Sequence, residues 1–436
     1  MMETAKASLL KILCRTQIEI EARATGFVER KSPITGTAFL SAMVFGSQST
    51  PDATLVELSS FLATSGGVTV SPQALDERFG DKSVAFMLAC LRKVLAAYWT
   101  MPHRVEALAD FDHVYLMDST NFNLASALSG VFKGNGGNSS KSAMRIQFAL
   151  DFCTGAMFQE IGDVDLSDQA ALARMIDKRS VDFDGKALII TDLGYYRAKT
   201  ISKICQMGVF FLSKVPHRRN YFKENGERLD LEGLINRRIS SFDEIVLVDG
   251  DRCRLVATRL DEQTAGARIR KANAHKASKQ AGIISDDYKH FLHYSMFLTN
   301  LPEEYGMERL YALYRIRWQV ELVFKGWKSV LRIDRQKSAK AARVLCEVYG
   351  RLIAATVAAI IEGLAVAAQD QRVISKFKAL KAFAAASDTL AKAVFGGKAM
   401  LAKAVDHLTI FIAKRCTKSA AKLRPHIEER LKRALA

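Results

Sequence analysis

The feature that most limits what this chain can fold into is a change of hydrophobic rhythm near residue 112. Up to about residue 100, apolar side chains recur at helical spacing, as in "SPITGTAFLSAMVFG" and "TLVELSSFLATSGG", and each run closes on glycine. From 112 the pattern shifts to short apolar strands. "HVYLMDST" is one, and "MRIQFALDF" and "AMFQEIGDV", parted by "CTG", read as a hairpin. "SDQAALARMIDK" then reads as a capped amphipathic helix and "KALIITDLG" as a buried strand. Strand, hairpin, helix, strand predicts an α/β fold with a mixed sheet.

The flanks read differently. In "SPQALDERFGDKSVAF", Ser71 suits a helix cap, Pro72 the first helical position and Gly80 a stop. The segment fits a helix-turn-helix with Gln73 and Arg78 aimed at DNA. It fits a small packing bundle equally well, because Asp76 and Glu77 repel phosphate. Residues 216–302 break the alternation with the hairpin "DEIVLVDGDRCRLVATRL" and the strand "KHFLHYSMFLTNLP", which enclose the cationic stretch "GARIRKANAHKASKQAG". Ala- and Lys-rich helices dominate from about 337. The run "LIAATVAAIIEGLAVAA" is broken by Glu362 and Gly363 and is shorter than a membrane span, so a packed core helix is expected.

Charge narrows the function classes. The chain of 436 residues carries a net charge of +17, which favours a polyanionic partner such as nucleic acid or an anionic membrane surface. Its 7 cysteines form no CxxC pair, which argues against a disulfide scaffold and a zinc site. With an N-terminus that does not read as a signal peptide, a cytoplasmic, nucleoid-associated location is expected. The eight histidines show no metal-ligand spacing, and His290 and His293 read as strand-edge residues. The Gly/Ser-rich loop "KGNGGNSSKSA" reads as a connector, with Lys133 and Lys141 as alternative phosphate contacts.

Two acids end apolar strands, Asp118 in "VYLMDST" and Asp192 in "LIITDLG". Each fits a turn former, the commoner role of an Asp after an apolar strand, and each also fits a carboxylate held at the crevice where α/β sheets bind ligands. A third acid lies in "YRIRWQVELVFKGWK". On one continuous helix, Tyr314, Arg317, Glu321, Lys325 and Lys328 share an arc of about 80°. Leu313, Ile316, Val320, Val323, Phe324, Trp327 and Leu331 fill a neighbouring apolar stripe. A solvated face with i, i+4 pairing of Glu321 to Arg317 and Lys325 accounts for the charges but not for their alignment beside so apolar a stripe. Three carboxylates from two strands and a helix form a hard-oxygen set that suits Mg²⁺, and two such ions serve phosphodiester transfer.

With "DST" at 118–120, "DLGYY" at 192–196 and the Tyr314, Arg317, Glu321, Lys328 spacing, the chain resembles the DDE transposases of bacterial insertion sequences, specifically the insertion sequence four family. The resemblance implies a ribonuclease H-like catalytic core (106–215, completed by 303–340) with a β-rich insertion (216–302). A helical N-terminal DNA-binding domain (1–105) would precede it and a C-terminal helical region (341–436) follow. It implies that Asp118, Asp192 and Glu321 bind Mg²⁺, for which Mn²⁺ substitutes. Tyr314, Arg317 and Lys328 would contact DNA phosphates, with Lys325 a helper on the same face. Double-stranded DNA, as transposon ends and target, is the implied partner, and a homodimer the implied synaptic unit. A catalytically silent descendant acting as a DNA-binding repressor is the alternative. One position departs from the family: relatives often carry a Trp where this chain has Ser295. Tyr294 and Phe297 then read either as stacking residues or as strand packing.

Overall fold

A computed structural model describes residues 2–49, 53–98, 108–136, 140–154, 157–178, 181, 183, 185–278, 282–368 and 373–418. At its centre is one sheet of eight strands: β1 (His113–Asn123), β2 (Ala143–Asp151), β3 (Met157–Gly162), β4 (Ala187–Thr191), β5 (Phe210–Lys214), β6 (Ser241–Val248), β7 (Asp251–Arg259) and β8 (Tyr294–Thr299). The order is β3-β2-β1-β4-β5-β8-β7-β6. β1, β4 and β5 run parallel, and the other neighbours are antiparallel. The mixed α/β expectation therefore holds. β4 is buried at all its residues, which is why "ALIIT" is an unbroken apolar run.

The two faces of the sheet alternate along each strand. Leu188 and Ile190 of β4, Leu116 of β1, Leu212 of β5 and Phe297 of β8 point to one core, while Ile189, Met117, Phe211 and Met296 point to the other. Asp118 shares the parity of Leu116, and Lys214 that of Leu212, so both side chains leave the sheet on the first face. That face is covered by helices Met307–Ile316 and Trp318–Ser329. The second carries Asp168–Asp177 and Ala198–Gln206.

The predicted apolar stripe does pack inward. Leu313, Ile316, Val320, Phe324, Trp327 and Leu331 are buried, and Phe324 and Trp327 sit 5.7 and 5.0 Å from the Phe148 ring. The single helix expected through this stretch is, however, two. The chain tightens at Arg317, whose N–H bonds Tyr314 O at 3.1 Å, and Val320 N bonds Arg317 O at 3.1 Å. Tyr314 thus lies in the last turn of the first helix, Arg317 at the junction, and Glu321, Lys325 and Lys328 ride the second.

Between 216 and 302 the expected hairpin and strand are present, and the segments around them are helical. The three strands extend the same sheet, β8 joining it directly to β5. The cationic stretch is a helix, Glu262–Ser278, started by Asp261 accepting from Thr264 N at 2.8 Å. The residues before Tyr294 form the helix Asp286–Leu292, capped by Ser285. His290 therefore lies on a helix and His293 ends it, instead of edging a strand.

The N-terminal helices pack on later ones. Helix Ala341–Ala367, the expected core helix, is buried along most of its length. Its Cys346 Sγ lies 3.5 Å from Ser83 Oγ, and Arg343 donates to Ala53 O at 3.3 Å. A Cβ on Gly350 would stand 2.4 Å from Met43 O, so only glycine permits this approach. Helix Pro72–Glu77 has the expected Ser71 cap. Arg78 is not aimed at a partner, because its guanidinium donates to Phe27 O and lies 4.2 Å above the Phe27 ring. Gln73 is exposed.

Candidate active site

Strand β1 carries Asp118 to the first face of the sheet, and Asp192 lies just past the end of the neighbouring parallel strand β4. Asp192 caps its own turn: its Oδ1 accepts from Gly194 N at 2.9 Å. The turn reading of the sequence is thus correct for Asp192, and it is compatible with a second role for the other oxygen.

Arg317 ties the acids together. Its Nη1 donates to Asp118 Oδ2 at 2.9 Å and its Nη2 to Glu321 Oε1 at 2.7 Å. The i, i+4 pair exists, but its partner is also a strand carboxylate 199 positions away in sequence. Arg317 Nε is buried and has no acceptor, so the guanidinium retains one donor for a further anion.

The electrostatics follow from burial. Desolvation pushes the Asp118 carboxyl above its usual range, against the Arg317 charge and the Ser119 amide, while Asp192 pushes it the same way. Asp192 is also raised, chiefly by burial and further by Asp168 and Glu321, while the Gly194 amide and Arg317 oppose the rise. Burial opposes the charge on Arg317, and Tyr314, Asp118, Glu321 and Asp192 outweigh it, so its pKa lies above the usual value. Burial lifts the Tyr314 phenol to about 12.

The sequence-predicted cations divide. Lys328 Nζ reaches Asn121 O on β1 at 3.3 Å. Lys325 is exposed on the same helix. Tyr314 is half-buried, its ring 5.1 Å from Phe297.

Two residues escaped the sequence reading. Asp168, read only as part of a capped helix, lies beside Asp192: a Cβ on Gly194 would stand 2.7 Å from Asp168 Oδ2 and 3.1 Å from Asp192 Oδ1. Gln147 Nε2 donates to Asp168 at 2.8 Å and Gln147 Oε1 accepts from Tyr195 at 2.7 Å, which fixes this fourth acid. Lys214 donates to Ser295 Oγ at 2.9 Å and lies 3.9 and 4.9 Å from the Phe297 and Tyr314 ring centres. Burial, then the Arg268 and Arg317 charges, push its ammonium down to about 7. No sequence signal marked either residue, because each is defined by neighbours on other strands.

The aromatic question is answered by parity. Ser295 faces Lys214, whereas Tyr294 is buried on the opposite face with its hydroxyl on Ile239 O at 2.8 Å. Phe297 is fully buried beneath Lys214. Tyr294 and Phe297 are packing residues in this structure.

The donor set suits a hard divalent cation, since it consists of carboxylates whose burial penalises uncompensated charge. Among the described residues, no three acidic, histidine or cysteine side chains stand close enough to hold one ion together. Arg317 accounts for this by spanning Asp118 and Glu321, supplying there the positive charge that the carboxylates require. The residues fit an ion provided that Arg317 releases them.

Sequence comparison completes the description. The family model described as the transposase DDE domain matches residues 110–357. The transposase for insertion sequence element IS231C of Bacillus thuringiensis subsp. berliner is 29% identical over 377 residues, covering 79% of this chain and 77% of the relative. The IS231B transposase of the same organism is 27% identical over 377 residues, covering 78% and 77%. The transposase for insertion sequence element IS1151 of Clostridium perfringens is 28% identical over 359 residues, covering 76% and 75%.

Proposed function

Because the chain belongs to the transposase DDE domain family, whose model spans more than half of it, we propose that it is an insertion-sequence transposase. It binds terminal inverted repeats and performs DNA strand cleavage and strand transfer with divalent ions. The observation that carries this reading is the Arg317 guanidinium bridging Asp118 on β1 and Glu321 on the covering helix, with Asp192 just past the end of β4, the parallel neighbour of β1. The half-sheet β3-β2-β1-β4-β5, with β1, β4 and β5 parallel, supports a ribonuclease H-like core bearing two of the acids.

Asp118, Asp192 and Glu321 would hold Mg²⁺, or Mn²⁺ in its place. Bound there, the metal supplies an activated attacking oxygen and charge relief at the leaving one. Arg317, released from the acids, turns its Nη groups and its unpartnered Nε to phosphate. Tyr314, whose ring centre lies 5.8 Å from the Arg317 guanidinium carbon, flanks that group, and Lys328 and the exposed Lys325 meet the adjoining backbone phosphates. Lys214 and Ser295 line the same face, and Ser295 stands where the family resemblance leads one to expect a Trp. Double-stranded transposon ends and target DNA are the substrates, and a homodimer is the unit that brings two ends together.

Asp118→Asn, Asp192→Asn and Glu321→Gln are each expected to abolish Mg²⁺-dependent nicking of end-sequence DNA while leaving gel-shift binding largely intact. Retained nicking in any one of them overturns the assignment. A second reading, a DNA-binding repressor without catalysis, draws on Arg317 occupying the space between two acids. Binding by the unaltered protein, without nicking in Mg²⁺ or Mn²⁺, would favour it.

A further inference from the structure

Helix Glu262–Ser278 is 17 residues long, yet Ala265 is its only buried residue. A helix so little buried gains few tertiary contacts in the monomer, and its sequence shows no apolar stripe to supply them. Its docked side is polar. Arg268 donates to Tyr294 O at 3.0 Å, Asn273 accepts from Ile284 N at 3.2 Å, and Lys276 donates to Ile283 O at 3.3 Å. The outward side carries Arg270, Lys271 and His275, all exposed, and no acid. Glu262, the only acid of the helix, is held by Arg259 at 2.8 Å. The acids of the adjoining helix are also engaged, Asp286 with Lys289 and Asp287 with His217 and Arg218.

The helix is tied to the catalytic face. Arg268 anchors it to the backbone of Tyr294, and the next residue, Ser295, receives Lys214. At 1.5 Å per residue it runs for about 25 Å, a length over which duplex DNA presents on the order of 15 phosphates.

Resting on the transposase reading, we propose that helix Glu262–Ser278 is a DNA-backbone rail, whose Arg270 and Lys271 grip duplex phosphates flanking the site of strand cleavage. The contact is sequence-independent, because both side chains meet phosphate charge and no base edge is required.

The test measures anisotropy of a fluorescein-labelled duplex of arbitrary sequence with the full chain over a range of salt. Each lost phosphate contact lowers the slope of log K against log[salt] by about 0.9. Arg270→Ala/Lys271→Ala is expected to lower the slope by nearly two and weaken binding at low salt. Arg270→Lys/Lys271→Arg, which keeps the charges, is expected to retain the slope. Lys398→Ala/Lys403→Ala, exposed lysines on a C-terminal helix, serves as the equal-charge control and is expected to leave it unchanged. An unchanged slope in Arg270→Ala/Lys271→Ala overturns the rail, as does an equal loss in the control. Failure of the unaltered protein to bind any duplex would instead remove the transposase reading, and the rail with it.

Discussion

Replacing Arg317 with Met keeps an unbranched side chain at this position and removes the charge that two acids share. The Asp118 arm is the costly one, since both side chains are largely buried, at 15% and 18% exposure. A charge-assisted hydrogen bond of that kind contributes roughly 1.5–3 kcal/mol. The Glu321 arm is an i, i+4 pair to a half-exposed carboxylate and contributes about 0.3–0.5 kcal/mol. The variant should therefore lose about 2 kcal/mol of stability near pH 8, after allowing for the desolvation that Arg317 no longer suffers. The pH dependence identifies the cause. Asp118 already has a raised pKa in the folded protein, and loss of Arg317 raises it further. A raised carboxyl pKa means that the folded state binds protons more readily than the unfolded one. The penalty is thus full above the folded pKa and is relieved as pH falls through it. Urea denaturation near pH 8 and near pH 5 should show the deficit shrinking at the lower pH. Added MgCl₂ should shrink it at the higher pH. A deficit equal at both pH values and insensitive to MgCl₂ would refute the argument, leaving only packing as the role of Arg317.

Three further outcomes follow from particular contacts. Lysine side chains labelled by reductive ¹³C-methylation should show one resonance, absent from Lys214→Met, that titrates near the value of about 7 set by burial. Because that pKa lies below the unfolded value, the neutral form is favoured on folding and stability rises with pH through the interval above 7, a slope that Lys214→Met should flatten. Gly350→Ala forces a methyl into the Met43 carbonyl and should cost roughly 1–3 kcal/mol in urea denaturation, with the catalytic face unaffected. Tyr195→Phe strips a donor from buried Gln147 Oε1 and should cost about 1–2 kcal/mol, and it should also loosen Asp168 enough to shift the pH at which Asp192 titrates.

What was legible in the sequence was whatever local periodicity encodes. The strands from 113 to 191 and the capped helix at 168 are each written in one short window and present as read, and the stripe Leu313 to Leu331 packs inward although it is split over two helices. The position of Asp192 was legible for the same reason, since an acid at the end of an apolar run marks where a strand leaves the core; Asp118, expected to end its strand likewise, lies in the middle of β1, because pairing with β2 carries that strand on to Asn123. Three things were not. Helix Glu262–Ser278 has no apolar period, so it looked like a cationic link. The break at Arg317 leaves the residue itself in helical conformation, so no glycine or proline announces it. Asp168 and Lys214 gain their meaning from Gln147, Gly194 and Ser295, which lie on separate elements, and no window of one strand contains such a pairing. The arrangement of Tyr294 and Ser295 was partly legible, because adjacent strand residues face opposite ways; which of them faced the site needed β8 set beside β5.

The packing of helix Ala341–Ala367 on the early helices has a consequence for synthesis. Met43, Ala53 and Ser83 find their partners Gly350, Arg343 and Cys346 only after about 240 residues beyond Tyr98 have been translated. At 5–20 residues per second that interval is roughly 10–50 s, during which the apolar surface around Met43 and Phe45, which later helices cover, waits on the ribosome. A message truncated before residue 341 would release a chain that has made its catalytic strands but cannot close its helical body, a product destined for aggregation or proteolysis.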